Sequence, residues 1–196
     1  MNLEQKLQKL SDAFGVAGFE DEVREVLHGM VSPYVESCET DPLGNLTCSR
    51  GSGDAVMLDA HMDEVGFMVK WIEKDGFLRL TALGGWDDRI LMAHRLTILT
   101  RSGEKVHGVI GSTPPHIQSD GDRDKVVPLD DLFVDIGARS RDEAEAFGVH
   151  IGDPATIHYP FLRLQEGYVT GKAFDDRAGC LVAAEALRIL AKEKLP

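Results

Sequence analysis

The 196-residue chain contains no apolar run approaching the roughly 18 consecutive residues of a membrane-spanning helix, so a bilayer anchor of that kind is not expected. Basic residues are scarce: 21 Lys and Arg stand against 33 Asp and Glu, a net charge of −12. A chain this acidic repels phosphate backbones instead of releasing counterions from them, which argues against nucleic acid as a partner. Cysteine is scarcer still. Cys38, Cys48 and Cys180 are an odd number at no metal-ligand or redox spacing, and a disulfide scaffold would need more cysteine in a shorter chain, so all three read as reduced thiols. Residues 1–10 do not read as a secretory leader, because Glu4, Lys6 and Lys9 break up the leucines and no small-residue cleavage site follows. These absences point to a cytoplasmic protein without a membrane partner. Internal repeats and low-complexity tracts are lacking too. The hydrophobic content of 43% over this length suits one good core or two small ones.

Leu3, Leu7, Leu10 and Phe14 recur every three or four residues and predict an amphipathic helix ending near Gly15; Val23, Val26, Leu27 and Met30 repeat the pattern. Asp41-Pro42-Leu43-Gly44-Asn45 is turn chemistry between two strands. Ala55-Val56-Met57-Leu58 is a continuous apolar run of the kind expected for a strand buried on both faces, and it leads into Asp59-Ala60-His61-Met62-Asp63-Glu64. From Val65 to about Gly167 the pattern changes to short β runs between turns, which predicts a small barrel or sandwich. Its strands are expected at 67–72, 77–80, 96–100, 106–110, 132–136 and 155–158, with Lys74-Asp75-Gly76 as a hairpin turn. Phe133 and Ile136 are read as core, and Gly84-Gly85-Trp86-Asp87-Asp88 as a turn with a packed Trp. Ser140-Arg141-Asp142-Glu143 is a capping box that opens a short helix, with Gly148 as its stop. A mobile loop is expected over 114–124. Tyr168 to Phe174 then reads as a strand, followed by Asp175-Asp176-Arg177 and a helical stripe of Ala178, Leu181, Val182, Leu187 and Leu190 that runs to the chain end.

Two polar segments are candidates for chemistry. His61 and Asp63 follow the buried-strand candidate, and ligands in open α/β sheets gather at the carboxyl ends of strands. A neutral imidazole is a common zinc ligand, and a nearby carboxylate can hold its other nitrogen and fix the tautomer. Asp175 and Asp176 lie at a helix start, where the macrodipole favours anions. Either segment alone is compatible with a plain hydrogen-bonded pair or an acidic cap. Because each follows a potential central strand, a sheet could bring them together. His94, His107, His150 and His158 lack ligand-spaced partners and read as structural or surface groups, and His116 reads as a solvated loop residue.

Four stretches together resemble a known family: Leu58-Asp59-Ala60-His61-Met62-Asp63-Glu64-Val65-Gly66-Phe67, Thr113-Pro114-Pro115-His116, Leu132-Phe133-Val134-Asp135-Ile136-Gly137-Ala138 and Gly171-Lys172-Ala173-Phe174-Asp175-Asp176-Arg177-Ala178-Gly179-Cys180. They are similar to the tetrahedral aminopeptidases, dinuclear zinc or cobalt exopeptidases whose relatives include glutamyl aminopeptidases and proteins described as endoglucanases. The resemblance implies His61 as a ligand to one metal, Asp63 as the catalytic aspartate that orients that histidine, and Asp175 as the carboxylate bridging two divalent ions. Asp176 would stand behind the ligands. It also implies an incomplete zinc-exopeptidase-like α/β catalytic domain, residues 1–66 and 168–196, interrupted over 67–167 by a β-barrel-like dimerisation domain. Peptides would be the substrate, and dimers or hollow dodecamers the assembly.

The chain departs from that pattern after its last helix. Relatives go on to a strand with two adjacent glutamates, one the general base and the other a ligand, and later supply an aspartate and a histidine; none of these motifs occurs here. Two metals sharing a bridge need roughly six protein donors, against two candidates. The expectation is therefore the N-terminal portion of an aminopeptidase, inactive alone. Two alternatives are a non-catalytic self-associating interaction protein and a glycosidase using Asp63 and Asp175 as its carboxylate pair.

Overall fold

The computed structural model describes residues 1–114, 117, 121 and 125–193, which fall into two compact units. The first comprises Met1–Glu64 and Tyr159–Pro196, the second Val65–His158. Most of the loop expected over 114–124, His116 included, lies outside the described residues. No helix among the described residues is long and apolar enough to cross a membrane.

The first unit is built on three helices. Helix α1 (Leu3–Asp12) opens with a complete capping box: the Asn2 side chain accepts from the Gln5 backbone, and the Gln5 side chain accepts from that of Asn2. Helix α2 (Asp21–Val31) buries Val23, Leu27, Met30 and Val31. With Leu10 and Ala13 these residues pack against Cys180, Leu181 and Ala184 of the last long helix, Phe174–Leu190. Leu3 is exposed, so the buried stripe of α1 begins deeper than its apolar spacing suggests. Strands β1 (Ser37–Thr40) and β2 (Leu46–Ser49) form an antiparallel hairpin around the expected Asp41 turn, whose carboxylate accepts from the backbone of Leu43 and Asn45 and from the Asn45 amide.

The second unit is a closed barrel. Its strands are β3 (Gly66–Ile72), β4 (Leu78–Leu83), β5 (Arg95–Leu99), β6 (Lys105–Gly111), β7 (Phe133–Asp135) and β8 (Pro154–Ile157), ordered β3-β4-β7-β6-β5-β8. All pairings are antiparallel. Phe67, Val69, Leu78, Leu80, Leu96, Ile98, Ile110, Val134 and Ala155 alternate inward and fill the interior. Trp86 stacks on Phe67 at 4.8 Å and donates its indole N–H to Gly66 O at 2.9 Å, the packed Trp expected of that turn. Gly108 lets β6 and β7 approach: a Cβ there would lie 2.7 Å from Val134 Cγ1. Helix α3 (Arg141–Ala146) keeps half of the predicted capping box. Ser140 Oγ accepts from Glu143 N, while the Glu143 carboxylate accepts from Arg139 N one residue further back.

Four expectations change. Residues 55–58 form no strand, and Val56, Met57 and Leu58 are 91%, 85% and 54% exposed. A strand buried on both faces needs a neighbour on each edge. Among the described residues of the first unit, however, β1 and β2 pair with each other, as do β9 (Leu162–Arg163) and β10 (Val169–Thr170). Tyr168–Phe174 likewise gives only the short β10, on an antiparallel ladder and not at a sheet centre. The final helix, α4 (Phe174–Leu190), stops at Leu190. Lastly, Cys38 and Cys48 stand directly opposite across β1 and β2 and are disulfide-bonded; only Cys180 is free, and it is buried. A separation of ten residues carries no sequence signal for pairing until the hairpin register puts the two side by side.

Thiol titration of the denatured, unreduced protein is expected to count one reactive sulfhydryl, rising to three after reduction. Closing a loop this short contributes at most about 3 kcal/mol through unfolded-state entropy, so Cys38→Ala should lower the denaturation free energy by that amount or less.

Candidate functional site

The two sequence-derived segments meet within the first unit. His61 to Asp63 lies at the end of the irregular stretch that follows β2, and its far end is pinned where Glu64 pairs with Val16 as an isolated parallel bridge and donates its backbone N–H to Gly15 O at 2.8 Å. On the other side, the chain leaves β10 and reaches α4 through Ala173, which takes a left-handed conformation at φ 56°. Asp175 and Asp176 sit at the head of α4 with non-helical backbone angles, joined by a cis peptide. The Asp176 carboxylate accepts from Gly179 N at 3.1 Å and caps the first regular turn. That is the ordinary acidic cap the sequence allowed for, here supplied by the second aspartate of the pair.

Asp175 points elsewhere: its Oδ1 is 3.2 Å from His61 Nε2, while His61 Nδ1 is 2.9 Å from Asp63 Oδ1. The imidazole is thus flanked by a carboxylate on each nitrogen, and the Asp175 side chain is 97% exposed. Burial pulls the His61 pKa down, but the Asp175 hydrogen bond and the Asp63 charge together outweigh it and leave the pKa above the ordinary 6.5. Among the described residues no group of three or more His, Cys, Asp and Glu converges as a metal cage. His61 and Asp175 can offer one imidazole and one carboxylate to a common cation, with Asp63 holding the ring's other nitrogen.

Behind this pair lies a buried charge cluster that the sequence reading did not single out. Arg177 is fully buried, and its guanidinium donates to the carbonyls of Leu10, Ala13, Gly15 and Met62 at 2.7–3.2 Å and to Glu64 Oε1 at 3.1 Å. Lys172 Nζ donates to the same carboxylate oxygen at 2.6 Å and to Ala13 O at 2.7 Å. Burial lowers the pKa of both cations, while Glu64 opposes that shift. No buried side-chain polar atom among the described residues lacks a hydrogen-bond partner, so the two cations share one carboxylate and complete their bonding on backbone carbonyls. Removing Arg177 would leave Glu64 paired with Lys172 and would take the donor away from the carbonyls of Leu10, Gly15 and Met62, which is destabilising. The available signal was periodicity, since Arg177 shares the spacing of Leu181 and Ala184, all three on the buried face of α4. Cys180, expected as a reduced thiol, is free and buried. Its Sγ donates to His61 O at 3.2 Å, and burial, helped by the Asp176 charge, pushes the thiol up to about 11.

In the metal-free protein, His61 should titrate above 6.5 by NMR, and Asp63→Asn or Asp175→Asn should bring it down. A raised folded-state pKa means that the stability gained from these contacts is complete below the unfolded value of 6.5 and is lost as pH rises through the folded pKa.

Comparison with known proteins finds relatives along almost the whole chain. The family model described as M42 glutamyl aminopeptidase matches residues 44–196. The glutamyl aminopeptidase of Lactococcus lactis is 34% identical, over 100% of this chain and 57% of its own length. The TET aminopeptidase of a marine sediment Thaumarchaeota archaeon superposes with a TM-score of 0.93 at 40% identity, covering 99% of this chain and 55% of that one. The TET1 peptidase of Pyrococcus horikoshii, which can assemble into a tetrahedron or a large octahedral shell, gives 0.88 at 35% identity, with 97% and 57% covered. The chain therefore spans a little over half the length of these relatives. On the family match and the agreement of fold along almost its whole length, the chain belongs to the M42 glutamyl aminopeptidase family.

Proposed function

We propose that these 196 residues are the N-terminal portion of a metal-dependent aminopeptidase that removes residues from the N-terminus of peptides. The observation that carries this reading is the position of His61 between Asp63 and Asp175. With Nδ1 held by Asp63, the ring offers Nε2 toward Asp175, the arrangement in which a carboxylate fixes the tautomer of a metal-ligating histidine. The donor set suits a zinc or cobalt ion: His61 and Asp175 would hold the metal, the Asp175 carboxylate having a second oxygen for a neighbouring ion, and Asp63 would raise the basicity of the imidazole. Paired divalent cations, when bound, supply the Lewis acidity that peptide hydrolysis requires. Asp176, occupied with the helix start, would keep the Asp175 backbone in place.

In this reading residues 1–66 and 168–196 are parts of a zinc-exopeptidase-like α/β catalytic domain, and 67–167 a dimerisation domain in a homo-oligomer. A cytoplasmic location belongs to the same proposal. Two observations support dependence on further sequence. Among the described residues this reading assigns two ligands, His61 and Asp175, where paired ions need roughly six. The exposed run at Val56, Met57 and Leu58 also lacks the neighbouring strands its composition calls for. A glycosidase loses support, because Asp63 is bonded to His61 and so is not a free acid or nucleophile.

Zinc or cobalt titration of the 196-residue chain is expected to show weak uptake, lost in His61→Ala and Asp175→Ala, with no release of amino acids from peptides. Joined to the remaining sequence of an M42 relative, the metal-loaded protein should release N-terminal residues. An extended protein that takes up metal and still leaves peptides intact would overturn the aminopeptidase reading.

A further inference from the structure

We propose that Arg177 is a positioning residue: its buried guanidinium, through Glu64 and the Met62 carbonyl, sets the separation of His61 and Asp175. The proposal rests on the metal-dependent reading above and extends it to a side chain that touches neither candidate ligand. His61 and Asp175 come from segments more than a hundred residues apart, and each is exposed, so their own contacts are too few to fix a distance. Besides the Cys180 thiol, which donates to His61 O, the group that ties the two segments together is Arg177. It lies two positions after Asp175, at the start of the regular part of α4. Its Nε donates to Met62 O at 2.9 Å, the peptide between His61 and Asp63, and its Nη2 reaches Glu64 Oε1 at 3.1 Å.

The remaining donors tie the same group to the end of α1. Nη1 reaches Leu10 O at 2.8 Å and Ala13 O at 2.7 Å, and Nη2 reaches Gly15 O at 3.2 Å. Lys172 closes the arrangement from the β10 side, with Nζ on Glu64 Oε1 and Ala13 O and its own carbonyl accepting from Ser11 Oγ at 2.8 Å. The planar fork of a guanidinium can satisfy acceptors in several directions at once; a lysine at the same position has one nitrogen and cannot span them. The backbone has room for this group and for little else, since a Cβ on Gly15 would lie 2.5 Å from Arg177 Nη2. Site geometry of this kind is held by supporting residues whose own contacts are locked, and an error near 1 Å is costly to function.

The test compares the 196-residue chain with Arg177→Lys and with Leu27→Ala, a control that weakens the helical cluster without touching the network. Two quantities are read: the NOE between the His61 ring protons and the Asp175 methylene in metal-free protein, and cobalt affinity by titration. Circular dichroism checks folding. Wild type and Leu27→Ala are expected to keep the cross-peak, whereas Arg177→Lys should lose it and bind cobalt at least tenfold more weakly at unchanged helix content. Retention of both by Arg177→Lys, equal loss in the control, or absence of the cross-peak from wild type would overturn the proposal. If Arg177→Lys does not fold, Glu64→Gln, which keeps the acceptor oxygen but not the charge, decides by the same two readouts, with a smaller loss expected and no loss overturning it. A wild type that gives the cross-peak but takes up no cobalt would sink the metal reading, while positioning would still be judged by the cross-peak alone.

Discussion

The first unit depends on the burial of a permanent positive charge. Arg177 cannot shed its proton, so the chain has to bring acceptors to it, and it does so with backbone carbonyls from the end of α1, from Gly15 and from Met62, plus one carboxylate. The acceptors come from two stretches, residues 10–15 and 62–64, both far in sequence from Arg177 itself. Satisfying the guanidinium therefore joins the first helix, the His61 segment and the last helix in one arrangement, and an alternative packing would strand a charge in a dry interior. Apolar contacts among Leu10, Val23, Leu27 and Leu181 supply much of the driving force for burial but little direction. The polar cluster supplies the direction.

Much of the architecture was legible because the physical rules behind it are local. The barrel strands follow from alternating residues, and β3 and β4 meet at the Lys74-Asp75-Gly76 turn. The Asp41 turn and the Ser140 cap were equally visible, since both need only a short polar side chain next to particular backbone groups. The candidate pair was legible for another reason: His61, Asp63 and Asp175 lie in long motifs, and the fold does bring the three side chains together.

What the sequence concealed was long-range. Cys38 and Cys48 pair because two strands stand in register, a relation that spacing does not encode. The same limit applies to Arg177, a charged residue in an apolar stripe, whose compensation comes from parts of the chain far away in sequence. The run at Ala55–Leu58 is the converse case. Its composition describes the environment it is suited to, while its structure describes the environment the surrounding residues provide, and the two differ because no described strand of its unit pairs with it.

The closure of the barrel bears on how this unit can evolve. A sheet with no free edge cannot be extended by a neighbour's strand, so any association it enters is written in side chains projecting from an intact shell. Ile90, Met92, Val109, Phe147 and Ile151 are among those that project. A lineage could therefore exchange one assembly geometry for another through surface substitutions alone, leaving the interior of the barrel and its folding untouched.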